Sequence, residues 1–354
     1  MDDTARMLVD TAERLFAEHC QKDVLIAAEK GEWPAALWGA MEEAGLPLAL
    51  VPEGRGGVGL QTADALAALR VSARFSAPVP FAETLLASWL LTQAGLDVPS
   101  GPLTVAPVAS GESLSLRRNG RSYAIEGRAT RVPFARHAAA IAILAQDEDG
   151  APFIARVDAT SCVVTPGANL AREPRDTVVF ASDLPSDAVA PAPATLAPDD
   201  LHAFGAAVRT VQIAGALSKA LDLTVAYAQE RVQFGRPIGK FQAVQHSVAA
   251  LAAHSAAAGA AADMAAEAAS DGMEPLLVGA AKTRAGEAAS AGAALAHQMH
   301  GAIGFTHEHM LHFSTKRLWS WRDEFGRESD WALLLGRAAL AAGPQKLWAD
   351  LVTA

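Results

Sequence analysis

The sequence predicts a mainly α-helical protein with a central β-domain. An N-terminal helical domain covers residues 1–100, a small antiparallel β-sandwich or barrel covers 101–196, and a C-terminal four-helix bundle covers 197–354. Three observations carry this prediction. Ala5, Leu8, Val9, Ala12, Leu15 and Phe16 follow the three-four spacing of a helical face. Around Asn119-Gly120 the period shortens to strand-like alternation. From about residue 198 long alanine-rich stretches return to the helical period.

The elements follow in chain order. A second N-terminal helix runs through EWPAALWGAMEEAGL and stops at Gly45, a C-terminal cap residue. VPEGRGGVGL is a glycine-rich loop, Thr62 can cap the helix after it, and PFAETLLASWLLTQAGL forms another helix. SLSLRRNGRSYAIEGRATRVPF reads as a hairpin; AAAIAILAQ, APFIARVDA, SCVVTP and DTVVFASDLP read as further strands. The bundle helices are LAPDDLHAFGAAVRTVQIAGALSKALDLTVAYAQERV, as one long helix or two, then FQAVQHSVAALAAHSAAAGAAADMAAEAA, EPLLVGAAKTRAGEAASAGAALAHQMHG with Pro275 near its first turn, and RESDWALLLGRAALAAG. No internal repeat is visible.

Composition narrows the function classes. Twenty-nine basic and thirty-nine acidic residues leave a formal charge of −10, which disfavours nucleic acid or an anionic membrane as the main partner. Cys20 and Cys162 are too few for a disulfide framework or a cysteine-rich zinc site. The opening MDDTARMLVDTAERLF is acidic and amphipathic, unlike a secretory or transit signal. No transmembrane helix is expected, because charges interrupt the apolar runs. Cytoplasm is the expected location.

Two segments concentrate chemistry. QERVQFGRPIGKFQAVQH places Arg231, Arg236 and Lys240 around a Gly/Pro turn between two helices. Arginine suits a pyrophosphate, which it can hold by bidentate hydrogen bonds; a plain basic helix corner would look the same. AHQMHGAIGFTHEHMLHFSTKRLWSWRDEFG holds five of the ten histidines, is interrupted by Gly301 and Gly304, and is closed by acidic residues. The spacing of His297 with His300, and of His309 with His312, could serve a metal.

R-x-x-F-G-x-x-I-G-x-F-Q-x-V-Q-H and Q-M-H-G-A-I-G-F-T-x-E-H resemble the two signatures of the acyl-CoA dehydrogenase family, and VPEGRGGVGL resembles its N-terminal loop. The order of helical domain, β-domain and bundle agrees. The resemblance implies FAD as cofactor and no metal. It implies that Arg231 holds the FAD pyrophosphate of a neighbouring subunit, that Phe234 packs near the adenosine half, and that Gln242 joins the same site. It places Gln298, Gly301 and Gly304 at the adenine side. It further implies an acyl-CoA substrate, an electron-transfer flavoprotein as electron acceptor, and a dimer or dimer of dimers.

The chain departs from the family pattern in three places. The family's usual base, a late glutamate, aligns with Phe325; the neighbouring Glu324 and Asp323 are the candidate catalytic carboxylates. An alternative early position is Gly205, which has no carboxylate. LTVAPVASGESLSL lacks the family's Thr-Glu-Pro-Gly-Ser-Asp type run, leaving Thr104 and Ser110 as hydroxyls that could reach a flavin. The short form resembles subunits of heteromeric acyl-CoA dehydrogenases acting on bulky acids such as steroid side chains. Two alternatives stay open: a non-catalytic subunit that completes a partner's FAD site, and a flavin oxidase or monooxygenase on the same fold.

Overall fold

The computed structural model describes residues 3–346 other than 110 and 198, so Ser110 lies outside the described residues. The chain forms two compact units, 1–69 with 77–205 and 70–76 with 206–354.

The first unit opens with α1 (Asp3–His19), α2 (Lys22–Glu29) and α3 (Ala35–Glu43). The predicted face of α1 is the buried one: Ala5, Leu8, Ala12, Leu15 and Phe16. α4 (Thr62–Arg74) begins at Thr62 rather than after it, and its last residues belong to the second unit. α5 (Phe81–Gln93) is buried nearly all round, as its lack of a polar face demands. Thr84 ties it to the sheet: its hydroxyl accepts from Leu103 N at 3.1 Å and lies 3.3 Å from Leu103 O.

The sheet has eight strands: β1 (Leu103–Ala106), β2 (Ser115–Asn119), β3 (Ser122–Pro133), β4 (Ala140–Gln146), β5 (Pro152–Asp158), β6 (Val163–Thr165), β7 (Arg175–Pro185) and β8 (Val189–Pro191). Its order is β6-β7-β3-β2-β4-β5-β8, with β1 also on β4. The Asn119-Gly120 hairpin is present, with Gly120 at φ +60°. The sheet is mixed rather than purely antiparallel, because β1 runs parallel along β4 and β2 meets the same strand at Ser115–Gln146. A parallel pairing needs a long crossover and leaves no local signature in the sequence. The inward residues, among them Leu116, Ile125, Ile141, Val157 and Phe180, share one core.

The second unit contains most of α6 (Asp200–Glu230), with α7 (Gln242–Ser270), α8 (Pro275–His300), α9 (Leu311–Trp321) and α10 (Glu328–Ala342). α8 is central and packs against α7, α9 and α10. The four expected helices are found, and α9 is a fifth that periodicity missed. Its inner face includes His312, Ser314, Thr315 and Arg317 beside Leu311 and Leu318, so the apolar stripe is broken. Among the described residues α7 is one helix long and apolar enough to cross a membrane by length and composition: its best 18-residue window has mean hydropathy 1.2, with a third of it buried. Alanine supplies that hydropathy, and the same small side chains let α7 lie close along α8.

Candidate cofactor and active site

The first signature forms where α6 ends. Arg231 N donates to Tyr227 O at 2.9 Å, and Ile238 N donates back to Arg231 O at 2.8 Å. Val232–Gln233 pairs with Arg236–Pro237, closed by Phe234 at φ +52° and Gly235 at φ +78°. Two successive positive φ values define the tight hairpin turn that Gly favours and Phe resists. Phe234 is nevertheless 91% exposed. Its edge meets Phe241 at 6.0 Å, and the Arg236 guanidinium sits 4.3 Å over the Phe241 ring. Arg231 and Gln242, the latter opening α7, are exposed as well. Gln245 braces the turn through Gly239 O at 3.0 Å.

The second signature ends α8. Gly301 takes φ +62° and ψ −144°, a conformation essentially closed to other residues, and nothing lies near the position of a Cβ. Gly304 serves differently. A Cβ there would sit 3.0 Å from His300 Cβ and 3.1 Å from His297 Nδ1, a tight fit in which these neighbours would have to give way. Gln298 is exposed.

One contact joins the two motifs. The Tyr227 ring, one turn before Arg231, stacks on His300 at 4.5 Å, and His309 closes against both rings at 4.5 and 6.0 Å. The structure thus brings Arg231 and Phe234 to the same end of the second unit as Gln298 and Gly301.

The histidines are bound into this packing. His297 is sandwiched between Phe305 at 3.9 Å and Trp319 at 5.4 Å, and its Nε2 lies 2.8 Å from Thr315 Oγ1. Burial, with His300 and His312 adding repulsion, pushes its pKa down to about 4. His300 is lowered mainly by burial; its Nδ1 lies 2.8 Å from Ala296 O. His312 Nδ1 is 2.8 Å from His309 O, and His309 Nδ1 accepts from Leu311 N at 3.1 Å.

The candidate carboxylates lie at the α9–α10 corner. Glu324 accepts from Arg209 Nε at 2.8 Å; the two side chains are 19% and 1% exposed. Asp323 is half exposed, 3.9 Å from the Nε atoms of Arg322 and Arg327. Lys282, fully buried, donates to Arg322 O at 2.6 Å and Gly326 O at 2.8 Å. Trp331 Nε1 donates to Phe325 O at 3.0 Å, and Phe325 itself takes φ +52°. Sequence reasoning missed Arg209, Lys282 and Tyr227. A signal existed for the first, a lone cation inside a stretch of small apolar residues, whereas Lys282 shares its stretch with Arg284.

In the first unit, Thr104 is fully buried and its hydroxyl donates to Pro133 O at 2.6 Å, so it is spent internally. Glu112 is likewise engaged, taking Thr130 N at 2.9 Å and Thr130 Oγ1 at 2.5 Å.

The exposed set in the second unit fits a dinucleotide: a guanidinium for a pyrophosphate, a side-chain amide, aromatic rings, and a glycine with open space beside it.

Comparison with known proteins agrees with this architecture. Residues 2–97 match the family model "Acyl-CoA dehydrogenase, N-terminal domain", and residues 203–321 match "Acyl-CoA dehydrogenase, C-terminal domain". Acyl-CoA dehydrogenase IpdE2 of Mycolicibacterium smegmatis is 30% identical, across 90% of this chain and 93% of that protein. Acyl-CoA dehydrogenase IpdE2 of Mycobacterium tuberculosis is 31% identical, across 88% and 90%. Among solved structures, a chain of the Tcur3481-Tcur3483 steroid ACAD superposes with a TM-score of 0.83 at 26% identity, covering 96% of this chain and 99% of that one. The chain belongs to the acyl-CoA dehydrogenase family and is an oxidoreductase of that family.

Proposed function

We propose that this chain is one subunit of a cytoplasmic, FAD-dependent acyl-CoA dehydrogenase that converts an acyl-CoA thioester to its α,β-enoyl form and passes electrons to an electron-transfer flavoprotein. The observation that carries the reading is the Tyr227–His300 stack, which gathers Arg231, Phe234, Gln298 and Gly301 at one exposed end of the bundle. A group held mainly elsewhere can reach them there, as expected when a site is completed across subunits. FAD, when bound, supplies the acceptor for the β-hydride. Arg231 offsets the pyrophosphate charge, Phe234 covers apolar surface beside it, Gln242 adds an amide, and Gln298 and Gly301 meet the adenine side. Gly304 keeps the turn packed so that Gly301 is presented. The exposed apolar parts of α7 suit a second subunit. The naming of the Tcur3481-Tcur3483 steroid ACAD, with two components, supports a homologous partner and a bulky acyl group.

The Arg209–Glu324 pair bears on the base. A carboxylate that abstracts an α-proton must be free to receive it. Glu324 is already committed to a buried guanidinium, so we assign the base to the partner subunit. A second reading keeps Glu324, with Asp323 beside it, as the base, favoured by the 19% of the Glu324 side chain that still reaches solvent.

The test is flavin reduction by a panel of acyl-CoA thioesters, with the chain alone and co-expressed with a homologous partner. Colourless chain alone and thioester bleaching only with the partner support the first reading. A yellow chain that bleaches alone, and loses this in Glu324→Gln, supports the second. No bleaching in either preparation, or oxygen consumption without an added acceptor, sinks both. Arg231→Ala is expected to lower FAD occupancy; unchanged occupancy removes Arg231 from the site.

A further inference from the structure

The β2–β3 hairpin concentrates positive charge in an acidic chain. Residues 117–131 hold five arginines and one glutamate, against a net charge of −10 for the whole. Arg117, Arg118 and Arg121 crowd the tip around Asn119-Gly120, and all three are exposed. Among the described residues, none of their side chains makes an ion pair or hydrogen bond. β2 pairs with β3 throughout but meets β4 only at Ser115–Gln146. β4 stops there, while β2 runs on to Asn119. At the rise of a strand, the tip overhangs the end of β4 by about 13 Å. The turn that closes β4, Asp147-Glu148-Asp149-Gly150, lies at the foot of this overhang. One carboxylate oxygen of Asp147 accepts from Asp149 N at 3.0 Å and from Ala151 N at 2.7 Å, which fixes the turn. Glu148 and Asp149 are then held in solvent, and their carboxylates have no partner among the described residues. One end of the sheet thus presents a basic ledge above an acidic step, adjacent and unpaired within the chain.

We propose that this end of the sheet is a self-complementary docking surface for a second copy of the chain, the basic hairpin of each copy seating on the acidic turn of the other. A two-fold axis makes the two contacts identical, so the ledge and step of one copy meet the step and ledge of the next. The surface lies wholly within the first unit and does not depend on the flavin reading. Exposed ion pairs are individually weak and are screened by salt. The contact is accordingly reversible and salt-sensitive. The free edge of β2 beyond Ser115 gives the arginines another use, since charge on a strand edge keeps foreign strands from pairing. Charge of either sign blunts an edge, whereas docking on the acidic turn requires positive charge.

The experiment is sedimentation velocity over a range of protein concentrations at low and high salt, on protein purified with any partner subunit it retains. Wild type is compared with Arg117→Glu/Arg121→Glu and with Glu148→Lys/Asp149→Lys. Wild type is expected to associate at low salt and to come apart at high salt. Several attractive pairs become repulsive in each variant, so each should associate about 10- to 100-fold more weakly than wild type. An equimolar mixture of the two variants should regain wild-type association, because acidic hairpin then faces basic turn and basic hairpin faces acidic turn. A wild type that keeps one size at every concentration and salt overturns the surface, whether or not the variants fold. Unchanged association in Arg117→Glu/Arg121→Glu also overturns it and leaves the arginines as edge protection. So does a mixture that associates no better than its components.

Discussion

The guanidinium of Arg209, 1% exposed in the middle of α6, donates through Nε to Glu324 at 2.8 Å and through Nη1 to Gln212 at 2.5 Å. It also faces the Phe325 ring at 5.6 Å. Arg209 therefore fixes both the carboxylate and the backbone of the corner that follows α9. Removing one partner of such a buried pair leaves the other unpaired. Arg209→Leu is expected to cost about 3–5 kcal/mol, and Arg209→Leu with Glu324→Leu considerably less. Urea unfolding of both variants decides it. A double variant as unstable as the single one would mean that Glu324 contributes nothing to the burial of Arg209.

Lys282 is held at the same corner with no exposure, and burial pulls its pKa from 10.5 down to about 8 against the attraction of Glu328, Glu324 and Asp323. The sign follows from linkage. Between pH 8 and 10.5 the unfolded chain binds more protons at this lysine than the folded one, so its penalty on stability is fully present below pH 8 and is relieved as pH rises. The neutral amine keeps two N–H groups, enough for both Arg322 O and Gly326 O. Relative to Lys282→Met, wild-type stability should therefore rise by on the order of 3 kcal/mol across that window. A difference that stays flat with pH would show that Lys282 titrates normally in the fold.

The sequence revealed the long elements and much less of what joins them. α1, α5 and the three long bundle helices announced themselves by apolar period and alanine content, and the hairpin by Asn119-Gly120. α9 was hidden because its inner face carries His312, Thr315 and Arg317, which solvent would normally claim. The β1–β4 pairing was hidden because it joins residues far apart in sequence. For the site, motif spacing located Arg231, Phe234, Gln298 and Gly301, and the fold places them together. The Tyr227–His300 and Arg209–Glu324 contacts join residues far apart in sequence, and no local pattern announces them.

His297 carries its own pH dependence. Its pKa lies at about 4 in the fold against 6.5 ordinarily, because burial disfavours the imidazolium. As pH falls through 6.5 toward 4 the unfolded chain takes up a proton that the folded chain refuses, so stability declines on acidification. His297→Gln should flatten that decline and lose some stability at neutral pH, because the stack between Phe305 and Trp319 is broken. Thermal unfolding from pH 7 to 4.5 measures both. An identical acid limb in wild type and variant would place the acid-sensitive group elsewhere.

Phe234 separates stability from function. A phenylalanine at φ +52° that is 91% exposed gains little burial and bears the strain of a left-handed conformation. Strain of this kind costs roughly 1–3 kcal/mol and persists where the residue serves another purpose. Phe234→Asn, which tolerates that backbone, should therefore stabilise the chain by about 1 kcal/mol. The same change removes the exposed ring from the turn that follows Arg231, so flavin occupancy should fall although the protein melts higher. Paired measurement of melting temperature and bound FAD tests this opposition directly. If Phe234→Asn is less stable and retains its flavin, the Phe234–Phe241–Arg236 cluster is structural, and the exposed ring has no part in cofactor binding.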